Sequence, residues 1–108
     1  MSEYEYPTDE QLDRIRHWQQ GIRELIEYLW SIWWMPDWGF KSKWGYSSFP
    51  RRRVLKLELH TGGWSGNESI IEALQENKQG NIFWFMYWER STKGGHYWFE
   101  IPKVVMDE

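Results

Sequence analysis

Apolar residues recur at three- and four-residue steps from Leu12 to Trp33. Leu12, Ile15, Trp18, Ile22, Leu25, Ile26, Leu29 and Trp33 form one stripe, the spacing of a helix with a single buried face. Asp13, Arg16, Gln20, Arg23, Glu24 and Glu27 lie mostly off it. Thr8 suits an N-cap, Asp9 and Glu10 suit the positive end of the helix dipole, and Thr8 and Gln11 have capping-box spacing. The pattern predicts one long N-terminal helix over 8–35, weakened by Gly21 and stopped at Pro36, since the residue before a proline avoids the α region. Its last two turns lose their polar face, where Tyr28, Leu29, Trp30, Ile32, Trp33, Trp34 and Met35 surround the axis. Such a helix end is buried or docks on something.

Residues 36–53 show little periodicity and predict an aromatic loop of a length that is uncommon inside a compact domain and often functional. Trp38-Gly39-Phe40 is echoed by Trp44-Gly45-Tyr46, with Lys41 and Lys43 between. A short hairpin and an aromatic-lined binding loop both fit that echo. From 54 to 101 the pattern predicts a βαββ unit. Val54–His60 alternates, with Leu55, Leu57 and Leu59 on one face and Lys56, Glu58 and His60 on the other. Thr61–Gly66 is a glycine-rich turn, and Ser65 with Glu68 has capping-box spacing before a second helix carrying Ile70, Ile71, Ala73 and Leu74. Ile82–Glu89 is a continuous apolar run, the pattern of a central strand. Arg90–Gly95 connects it to a last strand, His96–Ile101, and Pro102 leads into a short polar tail.

The expectation is one α+β domain over 1–108, ordered α-loop-β-α-β-β, with a small three-stranded mixed sheet packed by two helices. The first two strands are expected to be parallel through a right-handed crossover, the third antiparallel to the second. Helix two should cover one face of the sheet, leaving the other for helix one. That topology places the Thr61–Gly66 turn beside the Arg90–Gly95 connection, at the edge where open α/β sheets hold ligands.

Charge and composition narrow the classes. A net charge of −3 lacks the basic excess that double-stranded nucleic acid requires, and Arg51-Arg52-Arg53 is the one basic run. The absence of cysteine removes disulfides, thiolate nucleophiles and cysteine-ligated zinc. It also points to a reducing cytoplasm. The polar, acidic N-terminus is unlike a signal peptide, and the apolar run from Tyr28 to Met35 is too short to span a bilayer. Aromatics change the picture most: ten Trp, six Tyr and five Phe exceed what so small a core readily hides. Exposed aromatic clusters mark contact sites.

Two candidate surfaces follow. A partner-protein surface gathers Trp30 and Trp34 with the loop residues Trp38, Phe40, Trp44 and Tyr46, plus Arg51 and Arg52. The same surface offers a route to a homo-oligomer. The alternative is an anionic or nucleotide-like small ligand at the glycine-rich edge. There Gly62 and Gly63 precede the free N–H groups of a helix start. His60, Trp64, Ser65 and Asn67 would line it from one side, and Arg90, Ser91 and His96 from the other. Catalysis ranks below both. Ser65, Glu68 and His96 supply residue types for a triad, but Gly63-Trp64-Ser65-Gly66 misses nucleophile-elbow spacing by one position. His60 and His96, with Glu58, Glu68 or Glu100, lack metal-motif spacing, so neither a metal nor a cofactor is expected.

Thr61-Gly-Gly-Trp-Ser-Gly-Asn-Glu68, followed by Phe83-Trp84, Trp88 and Gly94-Gly-His-Tyr-x-Phe-Glu100, resembles a family of small uncharacterised proteins from phages and bacterial mobile elements. The resemblance covers the C-terminal half and carries no known activity. It implies an accessory protein that acts by binding, on a host or defence protein or on a small signal molecule.

Overall fold

A computed structural model describes residues 6–48, 51–77, 84 and 86–107. Among them the elements run α1 (Asp9–Arg16), α2 (Ile22–Ile32), α3 (Pro36–Gly39), β1 (Phe40–Tyr46), β2 (Arg53–His60), α4 (Ser65–Glu76), β3 (Trp88–Thr92), β4 (His96–Pro102) and α5 (Lys103–Met106). The domain is α+β. Its four strands form one sheet in the order β1-β2-β4-β3, with every neighbouring pair antiparallel.

The sheet therefore differs from the expected three-stranded mixed one in two respects. The stretch read as a loop over 36–53 supplies α3 and β1, and β1 pairs with β2 from Phe40↔Leu59 to Tyr46↔Arg53. Phe40, Trp44 and Tyr46 alternate with Lys41 and Lys43, but Ser42 and Gly45 interrupt the pattern, and only Phe40 is buried. The second difference is that β2 and β3 run in the same direction without being neighbours. Instead β4 lies between them, antiparallel to both. The predicted central strand at 82–89 falls partly outside the described residues, while Trp84, Met86 and Tyr87 are helical and the strand begins at Trp88. That strand is an exposed edge, so Trp88, at 43% exposure, lies outside the core in which a central strand would have placed it. A short aromatic run is compatible with helix or strand, and Trp84 uses the helical option to set its ring against Tyr97 and Phe99.

The long N-terminal helix is two helices. Thr8 caps α1 as expected: its Oγ1 accepts from Gln11 N and its N–H donates to Gln11 Oε1. The chain then leaves the α region, and Gly21 caps α2 in an extended conformation. Two contacts make the break favourable. Trp18 folds into the core and its indole donates to Gly21 O at 3.2 Å, while the buried Asn77 carboxamide donates to the carbonyls of Ile15 and Trp18. The Asn77 contacts serve carbonyls that a continuous helix would have used itself, while Gly21 O keeps its helical bond from Leu25 N beside the indole. At the start of α4, Trp64 rather than Ser65 is the N-cap, and no side chain caps that end.

One apolar cluster joins the helices to one face of the sheet. Leu12, Ile15, Leu25 and Leu29 from α1 and α2, and Ile70 and Leu74 from α4, meet Leu55, Leu57, Leu59, Phe99 and Ile101. Helix one thus shares a face with helix two instead of covering the other. The opposite face presents Lys56, Glu58, His60, His96, Trp98 and Glu100, all partly exposed. The expected polar tail is α5, whose Met106 is buried and whose main chain is held by Arg23 Nε to Met106 O at 2.9 Å.

Asn77→Ala removes the donor to both carbonyls where α1 ends. Ile15 O keeps its bond from Trp18 N, so a loss of about 1–3 kcal/mol in urea unfolding is expected from the Trp18 acceptor deprived of this donor. A loss below about 0.5 kcal/mol would show that the Trp18 carbonyl is satisfied elsewhere.

Candidate binding surface at one end of the sheet

Three connections meet where β2 ends: the α2–α3 link, the Thr61–Trp64 turn, and the β3–β4 turn. Their backbones are cross-tied. Thr61 N donates to Gly95 O at 2.9 Å, and Trp64 N donates to Thr61 O at 3.1 Å. Asn67, 1% exposed, accepts from Trp34 N at 2.9 Å and donates to Trp34 O and Thr61 O. Two glycines are required here by space as well as by conformation. A Cβ on Gly95, at φ +82°, would stand 2.0 Å from the buried Thr61 hydroxyl; one on Gly62, at φ +65°, would press on the Trp38 ring. Met35 takes a left-handed conformation without being glycine, at a cost of about 1 kcal/mol. That turn brings Trp34 and Trp38 to either side of Gly62.

Upon this frame lies a chain of ring contacts. Tyr6 stacks on Trp64 at 5.0 Å, and Trp64 meets Trp34 at 5.1 Å. Trp34 and Trp38 flank Gly62, and Trp38 approaches His60 at 6.1 Å. His60 then meets Trp98 edge-on at 5.8 Å, and the Arg90 guanidinium lies over Trp98 at 4.1 Å. The ridge passes from the helix side, around the end of β2, onto the uncovered sheet face. Trp38 is 50% exposed, and Trp30 and Met35 are exposed to a similar degree on the segment before it.

At its centre is a carboxylate–imidazole–imidazole series. His60 and His96 are direct cross-strand partners, with their Nδ1 atoms 2.7 Å apart, and His60 Nε2 lies 3.3 Å from Glu58 Oε1. An ionised carboxylate only accepts, so His60 carries hydrogen on Nε2. In the neutral pair His60 Nδ1 is then a bare acceptor, and His96 donates to it from Nδ1. This leaves His96 Nε2 as an unshared lone pair beside Gly94. Among the described residues, no group of three or more histidine or carboxylate side chains is placed to hold a metal ion.

The two sequence-derived surfaces redistribute. Trp34 and Trp38 belong to this end, together with His60, Trp64, Arg90 and His96 from the ligand set, while Trp30 is exposed on α2 four residues before Trp34. Phe40 belongs instead to the core, its ring edge-on to Trp33 at 5.7 Å. Trp44, Tyr46, Arg51 and Arg52 stand at the far end of the sheet, because β1 runs away from the ridge. Asn67 is a buried backbone tie, Gly62 and Gly63 shape a turn, and Ser65 reaches the Tyr6 hydroxyl rather than His96. Ser91 pairs with Tyr97 and so faces the helix side, away from Arg90. The start of α4 is covered by its own N-cap indole: a Cβ on Gly66 would meet the Trp64 ring at 2.4 Å. Tyr6 was not read as part of any surface, and nothing local in the sequence marks it. The Arg90–Trp98 pair was legible in principle, since a turn closing Thr92 on His96 sets Arg90 opposite Trp98.

Toward the other end of the uncovered face, Glu100 lies within reach of Glu89 beside a cleft of about 190 Å³. Burial, first, and then a hydrogen bond to Glu89 and its charge raise the Glu100 carboxyl above the usual range, while Lys56 and Arg52 pull it back. No family model matches the chain, and neither a curated protein nor a solved structure matches it.

The His60–His96 contact is measurable. A double-mutant cycle with His60→Phe and His96→Phe should return a coupling of about 0.5–1.5 kcal/mol. Nitrogen NMR of the neutral pair should find His60 protonated on Nε2 and His96 on Nδ1. The opposite tautomers would exclude the series from Glu58.

The raised Glu100 favours the folded state when protonated, so its contribution is present below the ordinary glutamate range and is lost as pH rises through the raised value. Glu100→Gln should therefore stabilise the protein at pH 7, by about 0.2–1 kcal/mol for relief of an apposed like charge. It should make no difference at pH 4. Urea unfolding at the two pH values checks the sign.

Proposed function

We propose that the protein is a non-enzymatic binding protein whose working surface is the aromatic ridge, and that the ridge engages a partner protein. The observation that carries this reading is the exposure of Trp38, and of Met35 next to Trp34, within the ring series running to Arg90, with Trp30 exposed on the helix that leads into it. Tryptophan, tyrosine and arginine dominate the binding energy of protein interfaces. Trp38 is held between Gly62 and His60 rather than left to rotate freely, which reduces the entropy lost on docking. Histidine, arginine and the His96 lone pair supply polar contacts at the margin of the apolar strip.

A small anionic ligand at this end has less support, because Trp64 covers the α4 start and Asn67 is committed to backbone. No helix among the described residues is long and apolar enough to cross a membrane. Taken with the absence of cysteine, that suits a partner met in a reducing cytoplasm. The resemblance of the C-terminal half to phage proteins makes the proposed role that of an accessory protein acting on a host or defence protein.

The test uses the full chain as bait with two double variants. Trp30→Ala with Trp38→Ala should weaken capture of the partner at least about tenfold, the effect of losing one hot-spot residue. Trp44→Ala with Tyr46→Ala, at the other end, should leave capture intact. Circular dichroism and melting of both variants check that they fold. Undiminished capture by the ridge variant would sink the proposal. Light scattering identifies a second copy of the chain as partner if the mass doubles for wild type and not for the ridge variant.

A further inference from the structure

The end of the sheet opposite the ridge carries a different chemistry. A cleft of about 400 Å³ lies between the start of β2 and α5, lined by Arg52, Arg53, Pro102, Lys103, Val104 and Asp107. Three cations face one carboxylate there, on a chain whose formal net charge is −3. Asp107 is already engaged by Lys103 and by Arg23. Arg51, Arg52 and Arg53 make no ion pair among the described residues. Two of them are stacked instead: the Arg51 guanidinium lies 4.7 Å from the Tyr46 ring centre, and that of Arg53 lies 5.4 Å from Trp44.

A guanidinium held by its face keeps its N–H edge for hydrogen bonding, and that edge matches two oxygens of a phosphate. Arg52 also borders the cleft that holds Glu89 and Glu100, so its charge is shared between the two clefts, whereas Arg53 makes no ion pair among the described residues. The volume is in the range of small-ligand sites and larger than a bare oxyanion needs. Pro102 and Val104 add apolar wall, and Trp44, 40% exposed, carries over its ring the Arg53 guanidinium that lines the cleft.

We propose that this cleft binds a nucleoside phosphate. The phosphate sits on Arg52, Arg53 and Lys103, and the planar base stacks on Trp44. Free nucleotides and the 5′-phosphorylated end of a single strand share this chemistry. The site is independent of the ridge and of the partner bound there.

Calorimetry and tryptophan fluorescence of the full chain with adenosine 5′-monophosphate test it. Saturable binding is expected, with adenosine and inorganic phosphate each at least about tenfold weaker, since each lacks one of the two contacts. Arg52→Gln with Arg53→Gln should lose at least about tenfold, and Arg53→Lys should also weaken binding because it keeps the charge but not the fork. Trp44→Ala should cost about fivefold or more, the effect of losing one stacked base. A short 5′-phosphorylated oligothymidylate binding more tightly than the mononucleotide identifies a strand end, and weaker binding identifies a free nucleotide. Adenosine binding as well as its monophosphate would overturn the proposal, as would unchanged binding by either arginine variant or no binding at millimolar nucleotide.

Discussion

The ridge hangs on the Asn67 carboxamide, which does for Trp34 what a neighbouring strand would do. It accepts from Trp34 N and donates to Trp34 O, and it holds Thr61 O as well. A connection between helices would ordinarily lie at the surface, because its backbone groups need water. Pairing both groups of Trp34 with one buried side chain lets that connection pack against the start of α4. Met35 can then turn left-handed, and Trp38 can come down beside Gly62. Asn77 does the corresponding work at the far end of α4, on the carbonyls where α1 ends. The two N-terminal helices are thus fastened to α4 at both of its ends by polar contacts, with the apolar cluster between.

That fastening explains how so aromatic a chain divides its tryptophans. Trp18 and Trp33 are buried, as the helical stripe predicts. Four of the exposed or half-buried rings lie against a cation or an imidazole. Trp44 carries Arg53, Tyr46 carries Arg51, Trp98 carries Arg90, and Trp38 borders His60. A cation over a ring contributes about 0.5–1 kcal/mol at an exposed site. It also interrupts the apolar surface, so the exposed area is broken into ring-and-cation units suited to recognition rather than to unspecific collapse.

Much of the fold was legible from periodicity and capping: the capped start of α1, the buried face of α2, β2 with its inward leucines, α4 and β4. What was not legible depended on partners distant in sequence. The break between α1 and α2 needs Asn77, some sixty positions away. An edge strand such as β1 buries only one of its side chains, and Ser42 and Gly45 break the alternation of its aromatics with Lys41 and Lys43. The juxtaposition of the Thr61–Trp64 and β3–β4 turns was expected from a parallel pair that does not exist. It survives because one antiparallel strand inserted between two others leaves those two running the same way, with their ends at one edge. Of the predicted ligand residues, His60 and His96 do meet there, while Asn67 and the glycines serve the turn itself.

Both surfaces lie at the ends of the sheet, and the sheet edges show why. An open edge strand offers unpaired backbone groups to any other strand and invites aggregation. In β1 the lysines 41 and 43 are exposed, and β3 is short, fully exposed, and offset by a bulge at Glu89 beside Arg90. Charge and irregularity thus discourage strand addition along either edge. The ends of the strands carry no such hazard, because the backbone there is closed by turns and helix starts. Large rings can be displayed at those ends without templating a further strand, which is where this chain places them.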